Sequence, residues 1–273
     1  MAPPAEPRLL AIVGDPVSHS LSPAMHNAAM QALGIPGTYV VLKTPAPSLA
    51  TVLSALAAVG AAGNVTVPHK EAAAGHVARK TDTCERTGAC NTFWVEKGAL
   101  VGDNTDVAGV GQALDRLGVS RGGRWLVIGT GGSARAVAAA AAERGAILHV
   151  RSRSAETARR FVRWAQERLA LQAHEATDDS ADVVINATPL GLKETDALPL
   201  DGARVEAKAV VLDLVYRRGG TAWVRALEQG GHRVSDGRTM LVAQGAAAFE
   251  RFFPGVHAPV EVMRAAVERA LRA

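Results

Sequence analysis

The 273-residue sequence is poor in the residues that mark several classes of protein. It holds only two cysteines, Cys84 and Cys90, and their spacing fits neither a C-x-x-C redox pair nor a zinc site. Aromatic residues make up 4% of the chain, and they do not cluster with the lysines and arginines that leave a net charge of +4. This composition excludes an obvious nucleic-acid-binding surface and favours a reducing, cytoplasmic location. The eight histidines form no H-E-x-x-H pair, so we expect no metal.

Long apolar runs are missing as well. No stretch approaches the ~20 apolar residues that a membrane-spanning helix needs, so we expect no membrane association. The first seven residues, Met1–Pro7, lack the apolar segment of a signal peptide, and we expect a disordered tail there. The length and the 48% hydrophobic content fit two soluble domains or one large α/β domain.

A glycine-rich turn near the middle of the chain is the first functional signal. The apolar run Trp125–Ile128 predicts a buried strand, and the alanine-rich run Ala134–Arg144 predicts a helix. Gly129, Gly131 and Ala134 form the G-x-G-x-x-G/A pattern of dinucleotide-binding turns. The N–H groups and the positive dipole end of the helix favour a pyrophosphate there. A plain strand-to-helix turn is the alternative, but the strand–turn–helix context favours the nucleotide.

The residues before this turn predict alternating strands and helices. That alternation favours a mostly parallel sheet with one antiparallel pair, joined by a hairpin at 96–98. The predicted strands are Leu9–Val13, Tyr39–Leu42, Asn64–Val67, Asn91–Val95 and Ala99–Val101, and the predicted helices are Pro23–Leu33, Pro47–Val59, Pro68–Lys80 and Val107–Leu117.

Polar residues gather beside the ends of these strands. Ser22 before Pro23 predicts a helix N-cap, but Ser18, His19 and Ser20 are left over, and such donors suit a hydroxylated or carboxylated small molecule.

Lys70 is the strongest catalytic candidate. Pro68 predicts the start of a helix, which places Lys70 near the third helical position, where the helix dipole disfavours a cation. That setting favours release of a proton and therefore proton transfer, against the alternative of a solvated surface lysine.

Asn91, Thr105 and Asp106 complete this set. Taken alone, Asn91 could satisfy a turn, and Thr105 or Asp106 could cap the next helix. Because strand ends meet at one edge of a sheet, where α/β folds bind ligands, we expect Lys70, Asn91 and Asp106 to converge.

In this order the motifs resemble those of the shikimate dehydrogenase family. The matching stretches span nearly the full chain: Ser20-Leu-Ser22-Pro23 with His26-Asn27, Asn64-Val-Thr66-Val-Pro68-His-Lys70, Gly88-Ala-Cys-Asn91-Thr92, Asn104-Thr105-Asp106, Gly129–Ala136, Asn186-Ala-Thr188-Pro-Leu-Gly191, Asp213-Leu-Val-Tyr216 and Met240-Leu-Val-Ala-Gln244. Four positions depart from the family pattern. Cys90 replaces a valine, Ser152 an asparagine, Leu214 a methionine and Gly245 an alanine.

The resemblance implies an α/β protein with two domains. A mostly parallel substrate domain would span 1–107, a Rossmann NADP-binding domain 108–238, and helices in 239–273 would return to the first domain. Lys70 and Asp106 would form the catalytic pair. The implied substrate-binding residues are Ser20, Ser22, Thr66, Lys70, Asn91, Asp106, Tyr216 and Gln244, and the implied cofactor-binding residues are Gly129, Thr130, Gly131, Gly132, Ser133, Arg151, Ser152, Arg153, Ser154, Thr188, Leu214 and Gly237.

The residues after the next predicted strand, Ala146–Val150, indicate which dinucleotide binds. An NAD-binding domain carries an acidic residue there for the ribose 2′-hydroxyl, whereas this chain has Arg151 and Arg153, and its nearest acid is Glu156. A guanidinium pairs well with a phosphate, so we predict NADP(H), with Arg153 as the main contact and Arg151 flanking it. Ordinary surface basicity is the alternative.

The remaining segments complete the predicted second domain and the chain end. Further buried strands are expected at Ala181–Ala187 and Ala209–Leu214, and final helices at Thr239–Phe252 and Pro259–Leu271.

The implied activity is reversible NADPH-dependent reduction of 3-dehydroshikimate to shikimate, a step of aromatic amino-acid biosynthesis. A quinate/shikimate or aminoshikimate dehydrogenase is the enzymatic alternative, although Ser22 in place of a bulkier threonine favours shikimate. A regulatory module that senses nucleotide or shikimate is the non-enzymatic alternative, which the presence of both Lys70 and Asp106 argues against. The sequence does not define the oligomeric state, and a homodimer is compatible with it.

Overall fold

A computed structural model describes residues 8–272, which form two compact units. The first unit contains the described residues up to Thr105 and those from Val242 onward, and the second unit is Asp106–Leu241. The domain boundaries predicted from the sequence follow residues 107 and 238. The tail expected at residues 1–7 lies outside the described residues.

The first unit is built on a six-stranded sheet in the order β2-β1-β3-β5-β6-β4. Its strands are parallel except for β5, and the helices connect them. The elements are β1 (Arg8–Gly14), α1 (Ser22–Ala32), β2 (Gly37–Lys43), α2 (Leu49–Ala58), β3 (Ala62–Val65), α3 (Lys70–Ala74), β4 (Arg79–Lys80), α4 (Asp82–Thr87), β5 (Thr92–Glu96) and β6 (Ala99–Asp103).

Strand β5 decides which polar residues meet. The sequence predicted one antiparallel pair, but β5 runs antiparallel to both of its neighbours, β3 and β6. Because its direction is reversed, the start of β5 lies at the sheet edge where β3 and β6 end. Asn91 just before β5 therefore lies beside the residues that follow those two strands.

The predicted helix Pro68–Lys80 is wrong. Helix α3 covers only Lys70–Ala74, and Pro68 precedes it after a cis peptide bond from Val67. The chain then leaves the helix because its backbone donors bind β6: the N–H of Ala78 donates to the carbonyl of Leu100 at 2.8 Å, and that of Thr81 to Gly102 at 2.9 Å. Pairing with the sheet replaces the helical hydrogen bonds that the alanine-rich sequence favoured.

The second unit holds a six-stranded, fully parallel sheet in the order β9-β8-β7-β10-β11-β12. This is the Rossmann order, in which the connection reverses direction between β7 and β10. Its elements are α5 (Asp106–Arg116), β7 (Arg124–Ile128), α6 (Gly132–Arg144), β8 (Ile147–Arg151), α7 (Ala155–Leu169), β9 (Ala173–Glu175), β10 (Val183–Asn186), β11 (Val210–Asp213), α8 (Ala222–Gln229) and β12 (Arg233–Ser235). Helices α7 and α8 and strands β9 and β12 were not predicted from the sequence.

The alanine-rich sequence of α6 serves close packing in this unit. Ala134 and the run 136–141 are buried in one core cluster with Trp125 and Leu148 of the adjoining strands. Small side chains let the helix axis approach the sheet closely. The run of alanines that predicts a helix thus also allows α6 to pack closely against the sheet where it follows the glycine turn.

Helices α9 (Arg238–Phe252) and α10 (Val260–Arg272) end the described chain. The boundary between the units falls within α9, after Leu241. In the first unit α10 packs against α1, and Gly245 of α9 fits against Met25 so closely that a Cβ would overlap the methionine side chain. Within residues 8–272, no helix combines the length and the apolar character that crossing a membrane requires.

Candidate active site

The buried side chain of Asn91 joins the segments at the edge of the first sheet. Its Oδ1 accepts hydrogen bonds from the backbone N–H of Thr105 at 2.7 Å and from the hydroxyls of Thr92 and Thr105 at 2.9 and 3.1 Å. Its own backbone N–H donates to the carbonyl of Asp103 at 3.0 Å. The chain on both sides of β5 is therefore held in one fixed arrangement.

Helix α9 joins this network through Gln244. The Nδ2 of Asn91 donates to the Oε1 of Gln244 at 3.2 Å, so two predicted substrate-binding amides meet although they lie 153 residues apart in the chain. Two turns further along α9, the Nε of Arg251 donates to the buried carboxylate of Asp103 at 3.0 Å. The same carboxylate accepts from the backbone N–H of Asn104 at 2.7 Å, which fixes the segment leading to Asp106.

A second set of buried hydrogen bonds leads from Asn91 toward Ser22. Asn64 of β3 donates to the carbonyl of Asn91 at 3.1 Å and accepts from the hydroxyl of Tyr39 at 2.7 Å. Burial raises the pKa of Tyr39, against an opposing hydrogen bond with Ser22. Sequence reasoning missed Tyr39, although it is one of only two tyrosines in the chain.

The imidazole of His26 supports Tyr39 from α1. The two rings stack with centroids 4.6 Å apart and planes within 4° of parallel. Burial lowers the pKa of His26 to about 3, so the ring is neutral at physiological pH. His26 therefore acts as a flat apolar surface against Tyr39 and not as a charged ligand.

The prediction that Ser22 caps α1 is wrong. Ser22 is the first residue of the helix, and Leu21 occupies the N-cap position without a side-chain hydrogen bond. Ser20 takes over that role, because its Oγ accepts from the backbone N–H of Ser22 at 3.3 Å. Ser22 is thus released from capping, and its hydroxyl faces Tyr39.

Lys70 opens α3 as its first residue and does not stand at the predicted third helical position. The helix is only five residues long, so its dipole is a weaker argument for the lysine than the sequence suggested. The half-buried Lys70 is fixed differently: its carbonyl accepts from the backbone N–H of Cys90 at 2.7 Å. Lys70 is therefore joined directly to the residue before Asn91.

The other predicted substrate residues lie as follows. Thr66 follows β3 in the first unit, and its backbone N–H donates to the carbonyl of Val13 at 2.9 Å. Asp106 and Tyr216 belong to the second unit, where Asp106 is the buried first residue of α5 and Tyr216 follows β11.

The glycine turn fits a dinucleotide. Gly129 has a φ of 115°, and a Cβ there would lie 2.8 Å from the carbonyl oxygen of Ala187 after β10. A Cβ on Gly131 would meet no protein atom within 4 Å, so this face of the turn is open for a phosphate to approach. Gly131 is also the N-cap of α6, whose first turn carries no acidic residue, which leaves the helix end suited to an anion.

The two arginines after the glycine turn have different surroundings. Arg151, at the end of β8, forms an ion pair with Asp179 and donates to the carbonyl of Asp178 at 3.0 Å. Arg153 is exposed and forms no ion pair with any of residues 8–272. Ser154 caps α7 by accepting from the N–H of Thr157 at 3.3 Å. The exposed guanidinium of Arg153 fits a phosphate better than that of Arg151, which already has carboxylate and carbonyl partners.

The remaining predicted cofactor residues lie around β10 and β11. Thr188 bonds within its own turn, since its hydroxyl donates to the Oδ1 of Asn186 at 2.6 Å. Gly237 packs so tightly against Leu214 that a Cβ would overlap the leucine carbonyl. No group of three or more possible metal-ligating side chains occurs in the part of the chain that the structure describes.

Known protein families match both ends of the chain. Residues 12–93 match a model described as the shikimate dehydrogenase substrate binding domain, and residues 237–268 match one described as the shikimate 5′-dehydrogenase C-terminal domain. A protein of Methanothrix thermoacetophila named shikimate dehydrogenase (NADP(+)) is 40% identical over 269 residues, which cover 97% of this chain and 98% of the relative.

Solved structures are similar over the full length. The crystal structure of shikimate 5-dehydrogenase from Thermus thermophilus in complex with NADP(H) and shikimate has a TM-score of 0.87 and 35% identity, and the match covers 97% of this chain and 100% of that chain. The quinate dehydrogenase of Corynebacterium glutamicum in complex with NAD also has a TM-score of 0.87, at 26% identity, with coverage of 96% and 99%. The fold is thus shared by enzymes with different substrates.

Replacement of Asn91 by alanine tests the network around it. Asn91→Ala leaves the buried N–H of Thr105 without its acceptor and removes the oxygen shared by the hydroxyls of Thr92 and Thr105, which then have only each other at 3.0 Å. We expect the free energy of unfolding to fall by about 2–4 kcal/mol. Urea unfolding followed by circular dichroism measures the loss. The exposed Gln112→Ala serves as the control and should stay within about 0.5 kcal/mol of the parent protein. Equal stability of the two variants would contradict the network.

Proposed function

Because the chain belongs to the shikimate dehydrogenase family, we propose that it catalyses the reversible NADPH-dependent reduction of 3-dehydroshikimate to shikimate. The observation that carries this proposal is the edge of the first sheet, where Asn91 and Gln244 meet and Lys70 is joined to Cys90. Hydroxyl, amide and ammonium groups collected at one sheet edge suit a small polyhydroxylated acid. The relative from Thermus thermophilus, solved with NADP(H) and shikimate, supports the assignment.

The proposed substrate contacts divide by chemistry. Ser20 and Ser22 hold the carboxylate with their hydroxyls, and Tyr216 assists on that side. The hydroxyl-binding residues are Thr66, Asn91, Asp106 and Gln244. The internal hydrogen bonds of Asn91 support this role, because a side chain already fixed by the protein loses little conformational freedom when a ligand binds.

The cofactor-binding residues divide in the same way. The glycine turn Gly129–Ser133 takes the pyrophosphate at the start of α6, and Arg153 takes the 2′-phosphate. Thr188, Leu214 and Gly237 lie toward the nicotinamide, and Arg151, Ser152 and Ser154 flank the adenine-side ribose. When bound, NADPH supplies the hydride that the carbonyl carbon accepts.

Lys70 and Asp106 complete the reduction by handling a proton. The carbonyl oxygen must gain a proton to become a hydroxyl, and the ammonium of Lys70 donates it. Asp106 is the acidic member of the proposed catalytic pair, and the positive charge of Lys70 stabilises the negative charge that develops on the oxygen. In the reverse direction Lys70 accepts the proton.

We further propose that the enzyme acts in the cytoplasm. The free and buried thiols of Cys84 and Cys90 support a reducing compartment. A homodimer stays a prediction of the sequence.

One assay tests the proposed function. Purified protein is incubated with shikimate, quinate or aminoshikimate in turn, each with NADP⁺ or NAD⁺, and reduction of the nucleotide is followed by absorbance. We expect the highest kcat/KM with shikimate and NADP⁺. A higher kcat/KM with quinate would identify the protein as a quinate/shikimate dehydrogenase, the alternative that its structural similarity to quinate dehydrogenase suggests. If no pair of substrate and nucleotide is turned over, the enzymatic proposal is wrong, and the non-enzymatic alternative of a module that senses nucleotide or shikimate is favoured.

The Lys70→Ala variant tests the proton donor. Loss of a general acid lowers kcat about 10²–10⁴-fold, while KM for shikimate should change little. Steady-state kinetics in both directions measure the two parameters. The exposed Lys208→Ala has the same change in charge and should leave both unchanged. A rise in KM with normal kcat would make Lys70 a binding residue.

The Arg153→Ala variant tests the choice of nucleotide. Removing the phosphate partner should raise KM for NADPH at least about 10-fold and leave KM for NADH unchanged, because NADH has no 2′-phosphate. Arg163→Ala, an exposed arginine further along α7, is the matched control. If the ratio of the two KM values is the same in Arg153→Ala as in the parent enzyme, Arg153 does not bind the phosphate.

A further inference from the structure

The proposed reaction gives no role to the most deeply buried carboxylate of the second unit. Asp213 ends β11 and is fully buried. Its Oδ1 accepts from the Nδ2 of Asn186 at 2.8 Å and from the backbone N–H of Val215 at 3.0 Å, and its Oδ2 accepts from the hydroxyl of Thr221 at 2.7 Å. Both carboxylate oxygens are therefore satisfied by neutral donors from three parts of the chain.

Asn186 carries the effect of Asp213 into the turn that follows β10. It is the register partner of Asp213 in the parallel β10–β11 pair. Its Nδ2 also donates to the carbonyl of Leu190 at 3.1 Å, and its Oδ1 accepts from the N–H and the hydroxyl of Thr188 at 3.0 and 2.6 Å. The orientation of one amide thus fixes both sides of the turn, and Asp213 fixes that orientation.

Thr221 carries the effect of Asp213 to the other end of the same turn. It is the N-cap of α8, where its Oγ1 accepts from the N–H of Val224 at 3.1 Å. Gly191 lies directly on Thr221: a Cβ on this glycine, whose φ is 104°, would lie 3.2 Å from the threonine methyl group. Thr221 therefore packs its methyl group against the turn at Gly191 while its hydroxyl donates to Asp213.

A carboxylate in this place is costly. Burial raises the pKa of Asp213, and the hydrogen bonds from Thr221, Val215 and Asn186 act in the opposite direction. A buried charge that has no cation beside it is rarely justified by stability alone, since an apolar residue of similar size avoids the desolvation. The arrangement is consistent with a carboxylate kept for the geometry that it imposes.

We propose that Asp213, acting through Asn186 and Thr221, is the positioning residue for the nicotinamide-side wall of the cofactor site. This wall consists of the turn 187–191 and the segment Leu214–Tyr216. The inference rests on the proposed function, which assigns Thr188 and Leu214 to the nicotinamide end of the cofactor site and Tyr216 to the carboxylate of the substrate. Asp213 touches neither ligand in this scheme and acts only by fixing the two segments that do.

The position of Asp213 in the sheet provides a way to separate positioning from general stability. Arg153, the proposed 2′-phosphate contact, follows β8, and β7 and β10 lie between β8 and β11. Three strand spacings amount to about 14 Å. A ligand that occupies only the adenosine end therefore reports on a part of the domain that Asp213 does not hold.

The test compares two ligands on three proteins. Calorimetry measures Kd for NADP⁺ and for adenosine 2′,5′-bisphosphate, which lacks the nicotinamide, with the parent enzyme, Thr221→Val and Thr221→Ser. At nearly constant volume, Thr221→Val removes the hydroxyl that donates to the carboxylate and that accepts from the N–H of Val224. Thr221→Ser keeps both hydrogen bonds and loses only the methyl group against Gly191. We expect Thr221→Val to raise Kd for NADP⁺ about fivefold or more and to change Kd for the bisphosphate less than about twofold. Thr221→Ser should stay within about twofold of the parent Kd for both ligands.

Two results would overturn the inference. Equal weakening of both ligands would mean that Thr221 and Asp213 stabilise the domain as a whole, and unchanged Kd values for both would mean that they do not position the wall. Amide hydrogen exchange of the ligand-free protein gives an independent readout: the N–H groups of Thr188 and Val215 should exchange faster in Thr221→Val than in Thr221→Ser. Absence of turnover in the parent enzyme would contradict the proposed function instead, and the exchange experiment would still decide the role of Asp213.

Discussion

Buried backbone donors must find acceptors where the chain leaves a sheet, and in both units a buried asparagine meets this requirement. Asn91 accepts from the N–H of Thr105, and Asn186 accepts from the N–H of Thr188. Each amide also donates to a second side chain, Gln244 for Asn91 and Asp213 for Asn186. An asparagine suits this position because it offers an acceptor and donors on one short side chain. The functional segments are thereby fixed before any ligand binds.

Much of the fold could be predicted because its signals are local. The glycine turn between Trp125–Ile128 and an alanine-rich helix is written in consecutive residues, and the structure places β7 and α6 there. The direction of β5 is not local in that sense, since it depends on which strands pair. The sequence indicated the hairpin to β6 but could not show that β3 would pair with β5 in the antiparallel sense as well. The failure at Pro68–Lys80 has the same origin, because hydrogen bonds to β6 outweigh helix propensity there.

Part of the candidate site could be predicted from residues that stand beside strand ends. The structure joins Lys70 to Cys90 and Asn91 to Gln244, whereas the convergence of Asp106 with Lys70 and Asn91 stays a prediction. Tyr39 lies within β2, and nothing in its neighbours indicates that its hydroxyl reaches Asn64 at 2.7 Å. Asp213 belongs to the motif Asp213-Leu-Val-Tyr216 that carried the family resemblance. Its proposed role depends on its burial and its hydrogen-bond partners, which a single sequence does not reveal. Residues that act through other side chains therefore require the structure.

The surroundings of the two arginines near the end of β8 give a physical reason for the order in which the sequence ranked them. The sequence predicted Arg153 as the main 2′-phosphate contact and Arg151 as a flanking residue. Asp179 lies against Arg151 and also pairs with Arg204, so its carboxylate is already shared between two guanidinium groups. Moving Arg151 to a phosphate would leave the largely buried Asp179 with fewer partners, which costs free energy that a new ion pair must first offset. Arg153 has no such ion-pair partner to lose among the described residues. Arg153 is therefore the better candidate for the proposed 2′-phosphate contact, whereas Arg151 is held against Asp178 and Asp179.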